Sequence, residues 1–466
     1  MSIPWTPKPA QIDAVMHICA HPGAGVLAKP GKGKTSVSYA AFTVLKENGA
    51  IDHMLVVAPL RPCYKTWPAE RDKWTDFGAL SCRVIHGKTK VLGAFKKDVD
   101  VFVINYEGLS WFAANMPKGW LDRVMIVIDE STKCKNHRAK RTEILQEMCK
   151  LAPRKVILTG TPRPKHLEDL FSQIRLLDNG NRLEKFVTRF RMKYFDEDPQ
   201  STKSGKTYSL WIPKEGAYDA VLNKIDDICI TLNYERGEMP ELIENPIVVD
   251  LPASVRAAYE ELEREFIVRT KGGDITAANA GVVGMKLRQI VGGGVYSEDD
   301  VVEFETNKLE ALRDLIEEQA GEPLLVAVGF IHEVERIRAY LGSEFGELPY
   351  LGGGVSTANS NRIIDAWNAG EVPVLLAHPT SVAHGLNLQA GGSSVCWYSL
   401  TWNAEEFEQF NGRVWRQGQK ADAVTVHCLV AERTIDERVL EVLHAKMAAQ
   451  EKMFNRLGKS DDKAKR

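Results

Sequence analysis

Nine residues, AKPGKGKTS from Ala28 to Ser36, follow directly on the apolar run GVLA and crowd glycine, proline and lysine together. The closing GKT, Gly33 to Thr35, fits the end of a phosphate-binding loop of the pattern GxxxxGK[ST], with Ala28 standing where that pattern has its first glycine. Backbone N–H groups from Gly31 through Lys32 and Gly33 to Lys34 can form a concave nest for an anion. The dipole of a helix beginning near Thr35 and Ser36 would reinforce it. Lys34 would then reach the β- and γ-phosphates of a nucleotide, and the Thr35 hydroxyl would ligate Mg²⁺. The alternative is a plain strand-to-helix turn.

A phosphate site of this kind needs a carboxylate at the end of a neighbouring apolar strand, and VMIVIDEST (Val124 to Thr132) supplies one. Asp129 is expected to hold Mg²⁺, through water for the most part, because magnesium favours few carboxylates and keeps much of its hydration shell. Glu130 is expected to polarise the attacking water. An acidic pair at a strand end is often only solvent-exposed, but the pair together with the GKT loop points to ATP hydrolysis.

The elements that must position these residues are legible as short β-branched runs alternating with helix-like segments: GVLA, HMLVVAP, CRVIHG, DVFVINY, VMIVIDE and KVILTGT between residues 23 and 161. Continuous apolar strands separated by amphipathic segments predict a parallel sheet covered on both faces. A second series, LLVAVGF, VPVLLAHP, SVCWYS and VTVHCLV, predicts another α/β layer between Leu324 and Val430. The fold class expected is therefore α/β with two domains. Residues 1–180 form the first and 306–466 the second. Between them, 181–305 reads as a charged helical insertion and linker, with RAAYEELEREFIVRT and glycine breaks at KGGD and VGGGV.

The 466 residues are too many for one hydrophobic core. Eight cysteines are scattered without a CxxC pair or a zinc spacing, so reduced thiols and no structural metal are expected. No apolar run reaches membrane-spanning length, and a soluble, cytoplasmic monomer is the expectation. The net charge of −2 does not by itself suggest nucleic acid. The densest basic patch is KCKNHRAKR (Lys133 to Arg141), with five Lys or Arg and a His in nine residues.

These stretches resemble, in order, the motifs of the Swi/Snf-like branch of the superfamily-two helicases and translocases, of a compact bacterial or bacteriophage type. Gln11 in TPKPAQ resembles the adenine-reading glutamine ahead of the phosphate loop. There follow PGKGKTS, VVAPLRPCYKTWPAERDKW, VINYEGL, IDEST with Lys135 and Asn136 after it, and LTGTPRPKHLEDLFSQI. The second half continues with KLRQI, TNKLEAL, SVAHGLNLQAGG, LTWN, QFNGRVWRQGQ and TIDERVLEVLHAKM. The resemblance implies two RecA-like domains and ATP with Mg²⁺. It assigns coupling between nucleotide and nucleic acid to Thr159, Gly160 and Thr161. It also implies that Gly385 and Gln409 lie near the nucleotide, and that Arg413 and Arg416, three apart and so expected on one helix face, charge-stabilise the transferring phosphoryl group.

Three departures from the family pattern stand out. The acidic box reads DEST, so Ser131 and Thr132 follow the carboxylate pair, and ATP chemistry is expected to survive because both acids remain. The basic pair common before the linker is absent from CITLNYERGEMPEL, where only Arg236 is close. Beside the two domains, histone-reading modules are not expected in these 466 residues.

Loops at the carboxyl ends of open α/β strands gather ligands. On such loops Arg61, Lys65, Lys133, Lys135 and Arg138 are expected to touch nucleic-acid phosphates, which gives salt-sensitive binding to any sequence. Trp67, Trp74, Trp111 and Trp402 are expected to pack in cores rather than stack on bases. The function implied is an ATP-dependent translocase stimulated by double-stranded DNA. The alternatives are a DEAD-box-like RNA helicase and an ATP-gated remodeller that displaces a DNA-bound protein.

Overall fold

The computed structural model describes residues 2–28, 31–86, 95, 98–160, 167–201, 207–232, 239–271, 277–297, 300–382 and 386–458, without the side chains of 61, 200–201, 207–208, 265–271, 277–280 and 453–458. The chain divides into two compact units: Met1–Glu235 together with the segment from Ala448, and Arg236–Met447.

The first unit is built on strands β1 (Gly23–Leu27), β2 (His53–Ala58), β3 (Cys82–Ile85), β4 (Val101–Asn105), β5 (Val124–Asp129) and β6 (Arg154–Thr159). Two further strands, β7 (Phe195–Ser201) and β8 (Thr207–Pro213), pair as an antiparallel hairpin, and β9 (Cys229–Thr231) joins the main sheet beside β1. That sheet is parallel throughout, in the order β3-β4-β2-β5-β6-β1-β9. Every residue of β1, β4 and the first five of β5 is buried, because both faces are covered. Leu55 and Val57 of β2 face one core, with Phe102, Ile126 and Phe171, while Met54, Val56 and Ala58 face the other, with Phe42, Val103 and Trp67. The unbroken apolar runs in the sequence record this double burial.

The second unit repeats the plan with β10 (Glu241–Val249), β13 (Leu324–Ala327), β14 (Tyr350–Leu351), β15 (Val374–Ala377), β16 (Ser394–Trp397) and β17 (Ala423–Ala431), in the parallel order β10-β17-β16-β13-β15-β14. A small antiparallel pair, β11 (Gly294–Tyr296) and β12 (Val301–Glu303), lies outside this sheet. Lys308 and Asp436 form a fully buried ion pair at 2.6 Å, and the ammonium also donates to the Tyr398 carbonyl at 2.9 Å. Buried charges persist only when paired in this way. His332 is 2% exposed, stacked on Phe330 at 5.4 Å, and neither of its ring nitrogens has a hydrogen-bond partner among the described residues.

Residues 181–305 carry the expected helices, Val187–Tyr194, Ala217–Ile225, Ala253–Lys271 and Ala277–Val291, but they do not form a body of their own. The segment is shared between the units and contributes an edge strand to each sheet, β9 and β10. Edge strands escape the sequence pattern because one side is solvated: most of β10 is exposed, with Val248 66% accessible, so it lacks an apolar run. No helix among the described residues is long and apolar enough to cross a membrane. The eight cysteines are all free thiols.

Candidate active site

The phosphate loop connects β1 to helix α2 (Lys34–Glu47). Two of its residues need glycine. Gly31 and Gly33 have φ of +79° and +77°, a left-handed backbone that side-chain-bearing residues avoid. At Gly33 a Cβ would also lie 2.2 Å from the Gln11 amide nitrogen, so a larger residue there would have to displace the Gln11 amide. Gln11, on helix α1 (Pro9–Ala20), is 6% exposed and fixed by its own Oε1, which accepts the Lys8 backbone N–H at 2.9 Å. The expected adenine reader and the turn of the phosphate loop are thus in direct contact.

Lys34 opens α2, and its ammonium donates to the Ala28 carbonyl at 2.5 Å. The Ser36 hydroxyl turns back to the Gly33 carbonyl at 2.9 Å, which braces the loop from inside, and Lys32 is buried. Ala28 in turn donates its N–H to the Thr159 carbonyl at 3.0 Å, joining the end of β1 to the end of β6. In the ladder Leu27 faces Thr159 and Asp129 faces Leu158, so the carboxyl ends of β1, β6 and β5 lie side by side. Lys34, Asp129, Glu130 and the start of the Thr159–Gly160 segment are therefore brought to one edge of one sheet.

Asp129 ends β5, and its Oδ2 accepts the Trp67 indole N–H at 3.0 Å. Trp67 lies on helix α4 (Thr66–Lys73), which is preceded by the short helix α3 (Leu60–Tyr64), and it is fully buried. Glu130 takes a left-handed backbone (φ 54°, ψ 58°), which costs a non-glycine residue of order 1 kcal/mol. The Tyr106 hydroxyl holds this turn by donating to the Asp129 carbonyl at 2.7 Å and the Glu130 carbonyl at 3.3 Å. Burial, followed by the nearby Cys134, Asp129 and Glu130, pushes the Tyr106 phenol well above its ordinary range, so it stays a donor. Ser131 is buried and donates to Gln173 Oε1 at 2.6 Å, which gives the DEST variation a structural use.

The donor set suits magnesium: an aspartate oxygen and a threonine hydroxyl, both hard ligands, beside a turn whose Gly31 and Gly33 take the left-handed backbone. Thr35 and Asp129 would hold the ion.

In the second unit Gln409 lies on the helix Ala404–Asn411, 3% exposed, donating to Glu405 at 3.1 Å. That helix stops at Asn411, and Gly412 caps it. Arg413 and Arg416 follow in turns, so the expected shared helix face does not exist; the Arg413 N–H bonds back to Phe410 at 3.0 Å in the tighter i−3 pattern. The Arg413 guanidinium is fixed instead by the carbonyls of Gln409 at 3.0 Å and Leu386 at 3.1 Å. The side chain of Arg61, and Thr161 and Gly385 altogether, lie outside the described residues, as does Arg236. Lys65, Lys133, Lys135 and Arg138 are exposed on the loops that follow β2 and β5. Trp74, Trp111 and Trp402 are half-buried against the cores, as expected of packing residues.

Two residues escaped sequence reasoning: Trp67, expected only to pack, and Tyr106, which the motif VINYEGL contains. The available signal was a tryptophan and a tyrosine following adjacent strands, each bearing a polar atom that must find a partner when buried.

Residues 15–291 match the SNF2-related domain and residues 307–418 the helicase conserved C-terminal domain. The chain is 33% identical to putative protein p41 of Acyrthosiphon pisum secondary endosymbiont phage 1 over 96% of its length and 97% of that protein. It is 24% identical to the Arabidopsis thaliana CHD3-type chromatin-remodeling factor PICKLE and 23% identical to human DNA annealing helicase and endonuclease ZRANB3. It covers 92% and 94% of itself in these alignments, but spans only 32% and 39% of the relatives. Among solved structures, the Sulfolobus solfataricus SWI2/SNF2 ATPase core in complex with dsDNA is 22% identical, with a TM-score of 0.44, covering 96% of this chain and 92% of that one. With the SNF2-related domain matched over more than half of its length and the helicase C-terminal domain following it, the chain belongs to the SNF2-related family of helicase-like, superfamily-two ATPases.

Proposed function

We propose that this protein is a motor that hydrolyses ATP to ADP and phosphate, with Mg²⁺, and uses the energy to track along double-stranded DNA. The observation that carries the reading is that Lys34 follows the carboxyl end of β1 while Asp129 and Glu130 end β5, the two strands that flank β6 in one sheet, beside two glycines in the left-handed backbone.

Lys34 would exchange the Ala28 carbonyl for the β- and γ-phosphates. Glu130 would accept the proton of a water whose oxygen attacks the γ-phosphorus as the bond to ADP breaks. Magnesium, held by Thr35 and Asp129, would offset the charge on the phosphate oxygens. Arg413 and Arg416 are assigned to the charge that builds on the transferring group, and Gln11 and Gln409 to nucleotide binding. Thr159 and Gly160, at the end of β6, would pass the nucleotide state on.

The track is argued from the exposed cations Lys65, Lys133, Lys135 and Arg138, which suit sequence-independent phosphate contacts, and from the DNA activity named for ZRANB3. ATPase rates measured with duplex DNA, single-stranded DNA and RNA test this directly. Duplex is expected to stimulate most, and indifference to all three would end the proposal. A triplex-displacement assay beside a forked-duplex assay then separates tracking from strand separation.

A further inference from the structure

A cleft of about 680 Å³ opens on the first unit between the basic loop that follows the carboxylate pair of β5 and the β7–β8 hairpin. One wall is Lys135, Asn136 and Arg138; the other is Ser209 and Trp211, with Arg191 of the helix Val187–Tyr194 between them. Strand alternation sets the second wall. Ser209 pairs with Pro199 and Trp211 with Glu197, which places them on one face of the hairpin. Leu210 and Ile212 point to the other face and are 48% and 52% exposed.

The charge is segregated between the walls. Glu168 and Asp169 line the cleft and Glu197 lies opposite Trp211 on the hairpin, where it accepts the Ser209 hydroxyl; both Glu168 oxygens are taken by Arg191, at 2.7 and 3.1 Å. The Arg191 guanidinium also lies over the Trp211 ring at 5.1 Å. Lys135 and Arg138 make no ion pair among the described residues and are exposed. Burial, opposed by Glu168 and aided by Arg138, Arg191 and Arg175, holds His137 below its ordinary range, so the cations face a neutral ring. The result is a two-walled, open trough with two exposed cations and an amide along one side, the Trp211 indole and a Ser209 hydroxyl bound to Glu197 along the other, and Asp169 also in the lining. Such a trough suits a flexible polyanion passing through it better than an enclosed small molecule.

We propose that the sugar–phosphate backbone of the DNA runs through this cleft, with Lys135 and Arg138 on its phosphates and the Ser209–Trp211 face of the hairpin as the opposite wall. The inference rests on the DNA-translocase reading and adds the hairpin to the track.

The test is photo-crosslinking. Ser209→Cys and Leu210→Cys proteins are each labelled with an azidophenacyl group and irradiated with labelled duplex DNA. Six of the native cysteines are buried and two half-buried, and the unaltered protein treated alike sets the background. Crosslinking from position 209 well above background and above position 210 is expected. Alongside it, the Lys135→Ala, Arg138→Ala double variant should bind duplex with a salt slope smaller by roughly two, one for each phosphate no longer neutralised. DNA retention with equal crosslinking at 209 and 210, or with an unchanged salt slope, overturns the cleft while leaving the translocase reading intact. Failure of the unaltered protein to retain any nucleic acid overturns both.

Discussion

The buried indole of Trp67 donates to Oδ2 of Asp129 at 3.0 Å. A residue of the second apolar core thereby fixes the carboxylate assigned to magnesium, so packing and chemistry share one side chain. Trp67→Phe keeps most of the apolar volume and removes the donor. Hydrogen bonds to charged groups contribute about 1.5–3 kcal/mol, so roughly a tenfold or greater rise in the magnesium concentration needed for half-maximal ATPase rate is expected. A magnesium titration checks it, with the urea midpoint reporting any loss of packing. An unchanged titration would mean that Asp129 is oriented by something else.

Glu130→Gln retains the shape of the side chain but cannot take a proton. It should bind ATP with near-normal affinity and hydrolyse it at least about 10²-fold more slowly, the usual span of a general base. Lys34→Ala should lose nucleotide affinity as well. Fluorescent-nucleotide binding beside single-turnover hydrolysis separates the two. Comparable defects in binding for both variants would refute the division of roles.

Arg413→Ala should lose roughly 10³-fold in turnover if its guanidinium meets the transferring group. The same substitution also frees the Leu386 and Gln409 carbonyls. Arg416→Ala, and a stability measurement on both, therefore belong in the same experiment. A near-normal rate in both variants would remove the guanidiniums from the chemistry.

His332 yields a prediction about acid. Burial first, and then the neighbouring Arg336, lowers it from 6.5 to about 4 in the folded chain. Between those values the unfolded chain binds a proton that the folded chain refuses, so stability present above pH 6.5 is lost as pH falls toward 4. The loss approaches about 3 kcal/mol at the lower end. Urea melts of the native protein and His332→Leu across this window should show a shallower decline for the variant, and parallel declines would contradict the assignment.

The two sheets were legible because their central strands are covered on both sides: Val124 to Ile128 can be read only as a buried strand. The same rule hid β10, most of which is exposed, while the buried β9 is only three residues long, and so 181–305 read as helical alone. At the site, Gly33, Lys34, Asp129 and Glu130 announce themselves through residue type and spacing. Trp67 and Tyr106 do not, because their hydrogen bonds are long-range, reaching 62 and 23 residues along the chain. Arg413 and Arg416 suggested a helix by their interval of three, and Gly412, the cap of the preceding helix, ends it first. Local periodicity does not record where a helix stops.

Glu130 keeps its left-handed backbone although glycine or asparagine would occupy that conformation at lower cost. With Glu130 in its proposed role as base, robustness and turnover are opposed at this one codon. A library selected only for heat tolerance should drift toward Gly or Asn at position 130 and come out sturdier and inert, whereas selection for catalysis should restore the acid.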